Sequence, residues 1–182
     1  MNAFQKAARL LREKSYMQGD VLLTSGRRSD YYFDCRQTAL DAEGGCALAR
    51  CFLDVLKPEV QGVGGMTLGA DPLVSAVSVL SFLEGRPLPA FIVRKTAKGH
   101  GTNLYLEGLK NFSPRTRVAV LEDVVTTGGS VLTACQRVHD AGLEVVQVIC
   151  VLDREEGGAD FLAQHGYTLQ TLFTKKDLLA GE

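Results

Sequence analysis

Two neighbouring acids precede a turn that is rich in hydroxyl groups and glycines. Glu122 and Asp123 stand at the end of an apolar run, and the turn follows at residues 126–130. Backbone N–H groups of such a turn can point at an anion, and the dipole of a following helix adds attraction. A ribose 5-phosphate suits both features, because buried carboxylates need hydrogen-bond donors and the sugar hydroxyls supply them. Chelation of magnesium is the alternative role for the acids.

A turn that binds no ligand is the alternative for residues 126–130, with Ser130 acting only as the cap of the next helix. The segment is not a Walker A loop, because no Gly-Lys-Ser/Thr follows it. The earlier stretch "GVGGMT" does not fit the dinucleotide fingerprint, because the last glycine of that fingerprint would fall at Thr67. Neither nucleotide-binding motif therefore accounts for these glycines.

A second cluster carries positive charge. Arg94, Lys95, Lys98 and His100 fall within seven residues, and a glycine stands on each side of His100. A solvated surface loop is the alternative explanation for such a run of charge. Concentrated positive charge on a loop that glycines make flexible can also close over an anionic group and exclude water.

Strands and helices alternate along the chain and would position these residues. The stretches "VQGVGG", "PAFIVRK", "RVAVLED" and "EVVQVICVLDR" indicate strands, and helical patterns lie between most of them. Continuous Val/Ile/Leu runs are typical of a parallel sheet that helices cover on both faces, so the sequence predicts an α/β fold. Ligands bind at the carboxyl ends of the strands in such sheets. The stretches expected at that edge are "GGMTLGAD", "RKTAKGHG", "EDVVTTGGS" and Asp153-Arg154.

Length and composition indicate one globular domain. The 182 residues are 46% hydrophobic and 23% charged, and the formal net charge is −1. A near-neutral charge argues against a protein that coats nucleic acid. The first residues lack the apolar core of a signal peptide and no apolar run could span a bilayer, so the sequence predicts a cytoplasmic protein without a membrane partner. The five cysteines are scattered without a CxxC pair, which predicts small buried hydrophobes and no zinc site.

Several stretches resemble one enzyme family. The stretch "VLEDVVTTGGS" resembles the phosphoribosyl-pyrophosphate (PRPP) binding motif of type I phosphoribosyltransferases. "TSGRRSDYYFD", "VRKTAKGHGTN" and "VLDREEGG" are similar to the N-terminal signature, the basic mobile loop and the Asp-Arg segment of orotate phosphoribosyltransferases. "GGMTLGADP" resembles the pyrophosphate loop of that family, although an ordinary strand-to-helix turn is the alternative. The matches keep the order and spacing of the family and extend over nearly the whole chain.

The resemblance implies a single domain over residues 1–182 with the type I phosphoribosyltransferase fold. Its features would be a central, mostly parallel sheet flanked by helices, a small N-terminal hood at residues 1–40 and a mobile catalytic loop at residues 95–108. The implied enzyme transfers the phosphoribosyl group of PRPP to orotate, giving orotidine 5′-monophosphate and pyrophosphate in de novo pyrimidine (UMP) biosynthesis. It also implies Mg²⁺ bound mainly through PRPP, without a dedicated metal site of the protein, and a homodimer whose loop reaches the partner subunit.

Residue roles follow from the matched motifs. The implied catalytic residues are Lys98, Glu122 and Asp123. The implied PRPP-binding residues are Arg94, Lys95, Lys98, His100, Glu122, Asp123, Val124, Val125, Thr126, Thr127, Gly128, Gly129 and Ser130. The implied orotate-binding residues are Thr126, Arg154, Tyr32 and Phe33. Packing in the strand core is the alternative for Tyr31, Tyr32 and Phe33, because adjacent strand residues face opposite ways.

Arg154 and Thr24 bear on the implied substrate contacts in different ways. Arg154 follows a predicted strand, and its guanidinium fork matches a planar carboxylate such as that of orotate. A salt bridge with a neighbour such as Glu155 is the alternative. Thr24 departs from the family, because some members carry a lysine there that contacts substrate.

Two other functions fit parts of the pattern. A phosphoribosyltransferase for another base, such as uracil or a purine, would share the PRPP motif. A PRPP-sensing regulator that binds nucleic acid would keep the fold, but it would need a basic face and would tolerate loss of the catalytic loop. The near-neutral charge and the retained loop favour the enzyme without a nucleic-acid partner.

Overall fold

The computed structural model describes residues 1–22, 28–97 and 105–179. Its strands are β1 (Tyr16–Leu22), β2 (Arg28–Phe33), β3 (Gly62–Met66), β4 (Ala90–Val93), β5 (Leu106–Glu107), β6 (Arg117–Val125), β7 (Glu144–Asp153) and β8 (Leu169–Thr174). A six-stranded sheet in the order β5-β4-β3-β6-β7-β8 forms the centre. Its neighbouring strands run parallel except for β4 and β5. The predicted α/β class with a mostly parallel sheet is therefore confirmed.

Helices cover both faces of this sheet. They are α1 (Ala3–Leu10), α2 (Cys35–Ala39), α3 (Ala42–Val55), α4 (Asp71–Leu83), α5 (Gly129–Asp140), α6 (Gly158–Gln164) and α7 (Lys175–Leu179). In β6, Ala119 and Leu121 belong to the core that α1, α3 and α4 share. Val118 and Val120 belong to the core that α5 and α6 share. Since successive strand residues point to opposite faces, a continuous apolar run is what fills both cores.

The N-terminal segment forms a small unit beside the main sheet. Here β1 and β2 make a separate two-stranded antiparallel sheet, and a π-helical turn at Leu11–Ser15 connects α1 to it. Tyr31 and Phe33 are buried, and their rings meet edge to face with 5.9 Å between centroids. This pair attaches β2 to the core. The unit lies within the predicted hood, whose limit at residue 40 stays a prediction, and Thr24 lies outside the described residues.

The predicted loop at residues 95–108 lies between β4 and β5, which pair as an antiparallel hairpin. Leu106 and Glu107, which the prediction included in the loop, form β5 and pair with β4. The backbone N–H of Arg94 donates to the carbonyl of Tyr105 at 2.7 Å, and the guanidinium of Arg137 lies 4.0 Å from the Tyr105 ring centroid. Residues 98–104 lie outside the described residues, so the mobility of the loop stays a prediction.

Four of the five free cysteines are buried, as the sequence predicted, but Cys46 on α3 is exposed, so the prediction was wrong for this residue. Burial raises the pKa of the Cys51, Cys135 and Cys150 thiols to about 12.

Within the described ranges, no helix combines the length and the apolar character needed to cross a bilayer.

Candidate active site

A cleft of about 490 Å³ opens at the carboxyl ends of the central strands. Met66 ends β3, the acids of β6 lie beside it, and Arg154 comes directly after β7. The lining residues are Tyr32, Phe33, Asp34, Arg36, Met66, Thr67, Leu68, Gly69, Lys95, Glu122, Asp123, Val124, Thr126, Thr127, Ser130 and Arg154. Each of the four polar stretches expected at this edge therefore contributes at least one residue.

The two acids lie near the carboxyl end of β6, and each accepts a hydrogen bond from the backbone of the next residue. Glu122 is only 4% exposed, and its carboxylate accepts the backbone N–H of Asp123 at 3.2 Å. The Asp123 carboxylate accepts the backbone N–H of Val124 at 2.8 Å. Burial, together with the neighbouring charge of Asp123, raises the pKa of Glu122 well above its ordinary value. A ligand that donates hydrogen bonds to this pair would relieve part of that cost.

Replacing Glu122 with glutamine is expected to stabilise the ligand-free protein at about pH 8 and to do so less at about pH 5. The folded-state pKa of Glu122 lies above its unfolded value. The folded state therefore holds more protons in the interval between these two pKa values, and its stability falls as the pH rises through that interval. Glutamine has no charge to desolvate, so its advantage grows with pH. Thermal melts of both proteins at the two pH values measure this, and an equal difference at both would contradict the explanation.

The turn after β6 leads into α5 through a glycine in the left-handed region. Gly128 has φ 82° and precedes the first helical residue, and no side chain of the described residues caps this helix end. The alternative in which Ser130 caps the helix is therefore wrong. Its hydroxyl instead donates to a carboxylate oxygen of Glu122 at 3.4 Å. Thr126 and Thr127 line the cleft beside it.

Not every residue of the acid-led motif faces the cleft. The side chain of Val125 is 1% exposed and belongs to the core under α5 and α6. Its backbone carbonyl accepts the N–H of Arg154 at 3.0 Å, which ties the end of β6 to the end of β7. Gly128, in the turn, and Gly129, the first residue of α5, do not line the cleft. Val124 does line it.

The turn between β3 and α4 lies close to these acids. Met66, Thr67, Leu68 and Gly69 line the cleft, and the Thr67–Leu68 peptide bond is cis. A methyl group at Gly69 would be 2.4 Å from a carboxylate oxygen of Asp123. Only a glycine therefore lets this turn approach the acid so closely.

The predicted basic residues separate into different surroundings. Lys95 lines the cleft. Arg94 does not belong to the lining, and its guanidinium forms an ion pair with Glu107 of β5 at 3.0 Å. Lys98 and His100 lie outside the described residues, so their predicted contacts with PRPP stay predictions.

Asp34 and Arg36 also line the cleft, although the sequence assigned neither of them a role. Nε of Arg36 donates to Oδ1 of Asp34 at 2.7 Å, and Nη2 donates to Oδ2 at 3.1 Å. Asp34 also caps α2, because its carboxylate accepts the backbone N–H of Arg36. An acid and an arginine two residues apart, directly after a strand, were the available signal. That signal is local to α2 and says nothing about the distant strands with which both residues share the cleft.

Arg154 is a nearly buried cation on the opposite part of the lining. It is 7% exposed, and its Nη2 forms an ion pair with Glu156 at 2.9 Å. The expected alternative named Glu155, so a salt bridge exists but with a different neighbour. Its Nε is buried and has no hydrogen-bond partner among the described residues. A buried donor without an acceptor costs about 1–3 kcal/mol, which a ligand oxygen in the cleft would offset.

The aromatic residues of β2 differ in their exposure to solvent. Phe33 is 3% exposed and packs against Tyr16 with ring centroids 5.1 Å apart. Tyr32 is half-buried, and both residues contribute to the cleft lining. The expectation that neighbouring strand residues face different ways explains why their exposure differs.

Comparisons with known proteins give consistent names. No protein-family model matches this sequence. An orotate phosphoribosyltransferase of Synechocystis is 48% identical over 169 residues, which cover 93% of this chain and 85% of that protein. The crystal structure of the Mycobacterium tuberculosis orotate phosphoribosyltransferase with Fe(III) dicitrate has a TM-score of 0.84 at 38% identity, covering 97% of this chain and 99% of that one. The same enzyme in complex with PRPP has a TM-score of 0.79 at 35% identity, covering 97% and 98%.

Proposed function

The chain belongs to the orotate phosphoribosyltransferase family, and we propose that it transfers the phosphoribosyl group of PRPP to orotate. The products are orotidine 5′-monophosphate and pyrophosphate, a step of pyrimidine biosynthesis. The observation that carries this proposal is the composition of one cleft. It joins a pair of acids and a hydroxyl-rich turn with a buried arginine whose Nε lacks a partner among the described residues.

The donor would bind at the end of β6. Glu122 and Asp123 supply carboxylate oxygens for the ribose hydroxyls, and residues 126–130 hold the 5-phosphate at the start of α5. The 3.4 Å hydrogen bond from Ser130 to Glu122 supports this arrangement, because it joins the turn to the acids. As the bond to pyrophosphate breaks, the ribose gains positive charge, and the adjacent carboxylates stabilise that charge.

The departing pyrophosphate needs positive charge and backbone donors. We propose that Lys95 and the turn at residues 66–69 contact it, since both line the cleft. Arg94, Lys98 and His100 are proposed to complete this contact, on the basis of the family motif. The orotate nitrogen is the nucleophile, so the reaction requires no covalent enzyme intermediate.

Magnesium would enter with PRPP. The described part of the chain holds no group of three or more His, Cys, Asp or Glu side chains suited to a metal ion. In phosphate-handling sites Mg²⁺ keeps several water and phosphate oxygen ligands, so PRPP itself can supply part of the coordination shell. When bound, the ion offsets the negative charge of the diphosphate. Asp123 is the residue placed best to approach it, because its carboxylate adjoins the turn at Gly69.

Orotate would be recognised at Arg154. Replacing this residue with methionine is expected to raise KM for orotate by roughly 10²-fold, because a charge-assisted hydrogen bond to a buried carboxylate is lost. The effect on KM for PRPP should be small, since the donor contacts lie on β6 and α5. Steady-state kinetics with each substrate varied in turn separate the two constants. A change confined to PRPP would contradict the role of Arg154.

An assay with several bases tests the function itself. The protein is incubated with PRPP and Mg²⁺ and with orotate, uracil, adenine or hypoxanthine, and the absorbance of each base is followed. Loss of orotate alone is the expected result. Turnover of uracil or a purine instead would support a phosphoribosyltransferase for another base, and no turnover of any base would support the PRPP-sensing regulator.

We also propose a cytoplasmic homodimer. Large apolar side chains are exposed on α4 and beside it: Val79, Phe82, Leu83, Leu40 and Leu68 are 64–74% exposed. Leu68 also lines the cleft, so a partner on this surface would lie next to the active site. That position fits a loop shared between subunits. The mass of the protein in solution, measured by light scattering, tests the assembly.

A further inference from the structure

Tyr31 is a buried ring that two cations approach. The guanidinium carbon of Arg154 lies 4.9 Å from its centroid, and Nζ of Lys175 lies 4.0 Å from it. Tyr31 itself is 6% exposed and packs edge to face on Phe33. The ring therefore connects β2, the end of β7 and the start of α7, and the core holds it in place.

Arg154 is held on several sides by this arrangement. Its backbone N–H donates to Val125, and its Nη2 pairs with Glu156 at 2.9 Å. Tyr31 supplies an aromatic surface, on which a guanidinium plane stacks favourably. Nε remains without a partner among the described residues although the side chain is almost fully buried. These contacts hold the guanidinium in one position and leave its Nε–H available to a ligand.

We infer that Tyr31 and Glu156 are positioning residues that orient Arg154 for a planar carboxylate on the pyrimidine acceptor. The inference rests on the proposed function. An arginine side chain has many rotamers, and a rigid ring and an ion pair remove most of them before the ligand arrives. Preference for a carboxylated base would then depend on two residues that do not touch the base.

Replacing Tyr31 with leucine should raise KM for orotate about tenfold and leave KM for PRPP unchanged. Replacing it with phenylalanine should restore most of the affinity, because phenylalanine keeps the ring surface. The control is Tyr167→Leu, which makes the same replacement at a partly buried tyrosine that packs against the core under α5 and α6. That variant is expected to lower thermal stability without a selective change in KM for orotate.

A double variant separates positioning from general damage. If Tyr31 acts through Arg154, Tyr31→Leu should add little to the defect of Arg154→Met. Fully multiplicative effects on KM for orotate would overturn the inference, as would equal defects in the phenylalanine and leucine variants. Wild-type protein that does not convert orotate would instead contradict the proposed function.

A second variant covers the case in which Tyr31→Leu does not fold. Glu156→Gln removes the charge of the ion pair, and the glutamate side chain is 25% exposed, so the core is not disturbed. A rise in KM for orotate of several-fold, with KM for PRPP unchanged, is expected. An unchanged KM for orotate would overturn the role of Glu156 and with it the inference.

Discussion

Replacing Lys98 with alanine is expected to lower kcat by about 10³-fold while PRPP binding remains measurable. The lysine charge would be needed mainly when the diphosphate departs, so its loss raises the barrier more than it weakens the bound state. Rapid-quench or steady-state assays with orotate and PRPP give kcat, and fluorescence or calorimetry gives the affinity for PRPP. Near-normal turnover would remove Lys98 from the mechanism.

Lys110→Ala is the matched control for that experiment. Lys110 lies on the short 3₁₀ turn at Leu109–Asn111 and is exposed, and it does not line the cleft. Its removal changes the net charge by the same amount as the loss of Lys98. A similar fall in kcat for both variants would point to a general charge effect instead of a specific contact.

Replacing Gly69 with alanine is expected to lower kcat/KM for PRPP by roughly 10²-fold with little loss of stability. The added methyl group would lie 2.4 Å from Oδ1 of Asp123, and the short acidic side chain must turn away to make room. The backbone of β6 need not move. Steady-state kinetics and thermal melts of the same preparation measure both consequences.

The opposite effect on stability is expected for Gly65→Ala, four residues earlier in the chain. Its methyl group would be 2.1 Å from the carbonyl oxygen of Leu121, which is backbone in the middle of the sheet and cannot turn aside. The thermal midpoint should fall by roughly 5–10 °C. If Gly69→Ala lost as much stability as Gly65→Ala, its kinetic defect would reflect damage to the fold rather than displacement of Asp123.

The central sheet could be predicted because its signals are local. The run before Glu122 is apolar at every position, and such a run fits only a strand that is covered on both faces. The position of the cleft could be predicted from the same pattern, since parallel strands bring their carboxyl ends to one edge of the sheet. Glu122 and Asp123 could be recognised as a pair because they are adjacent in the sequence, and this requires no knowledge of the fold.

The missed features involve contacts between distant parts of the chain. Asp34 and Arg36 come from the start of α2, and only the packed fold brings them to the acids of β6. The contact of Tyr31 with Arg154 joins residues on β2 and after β7. Ser130 was considered as a cap because serine is a common cap, whereas the left-handed Gly128 fills that position. Composition alone does not decide between such alternatives.

The burial of the cysteines has a practical consequence for following conformational opening. At neutral pH a thiol reacts with maleimides or iodoacetamide through its thiolate, and burial both shields Cys35, Cys51, Cys135 and Cys150 and keeps them protonated. Cys46 is exposed on α3 and is therefore expected to take the first label. Alkylation of a second cysteine requires that the core opens. The rate of labelling beyond one equivalent therefore reports on that opening.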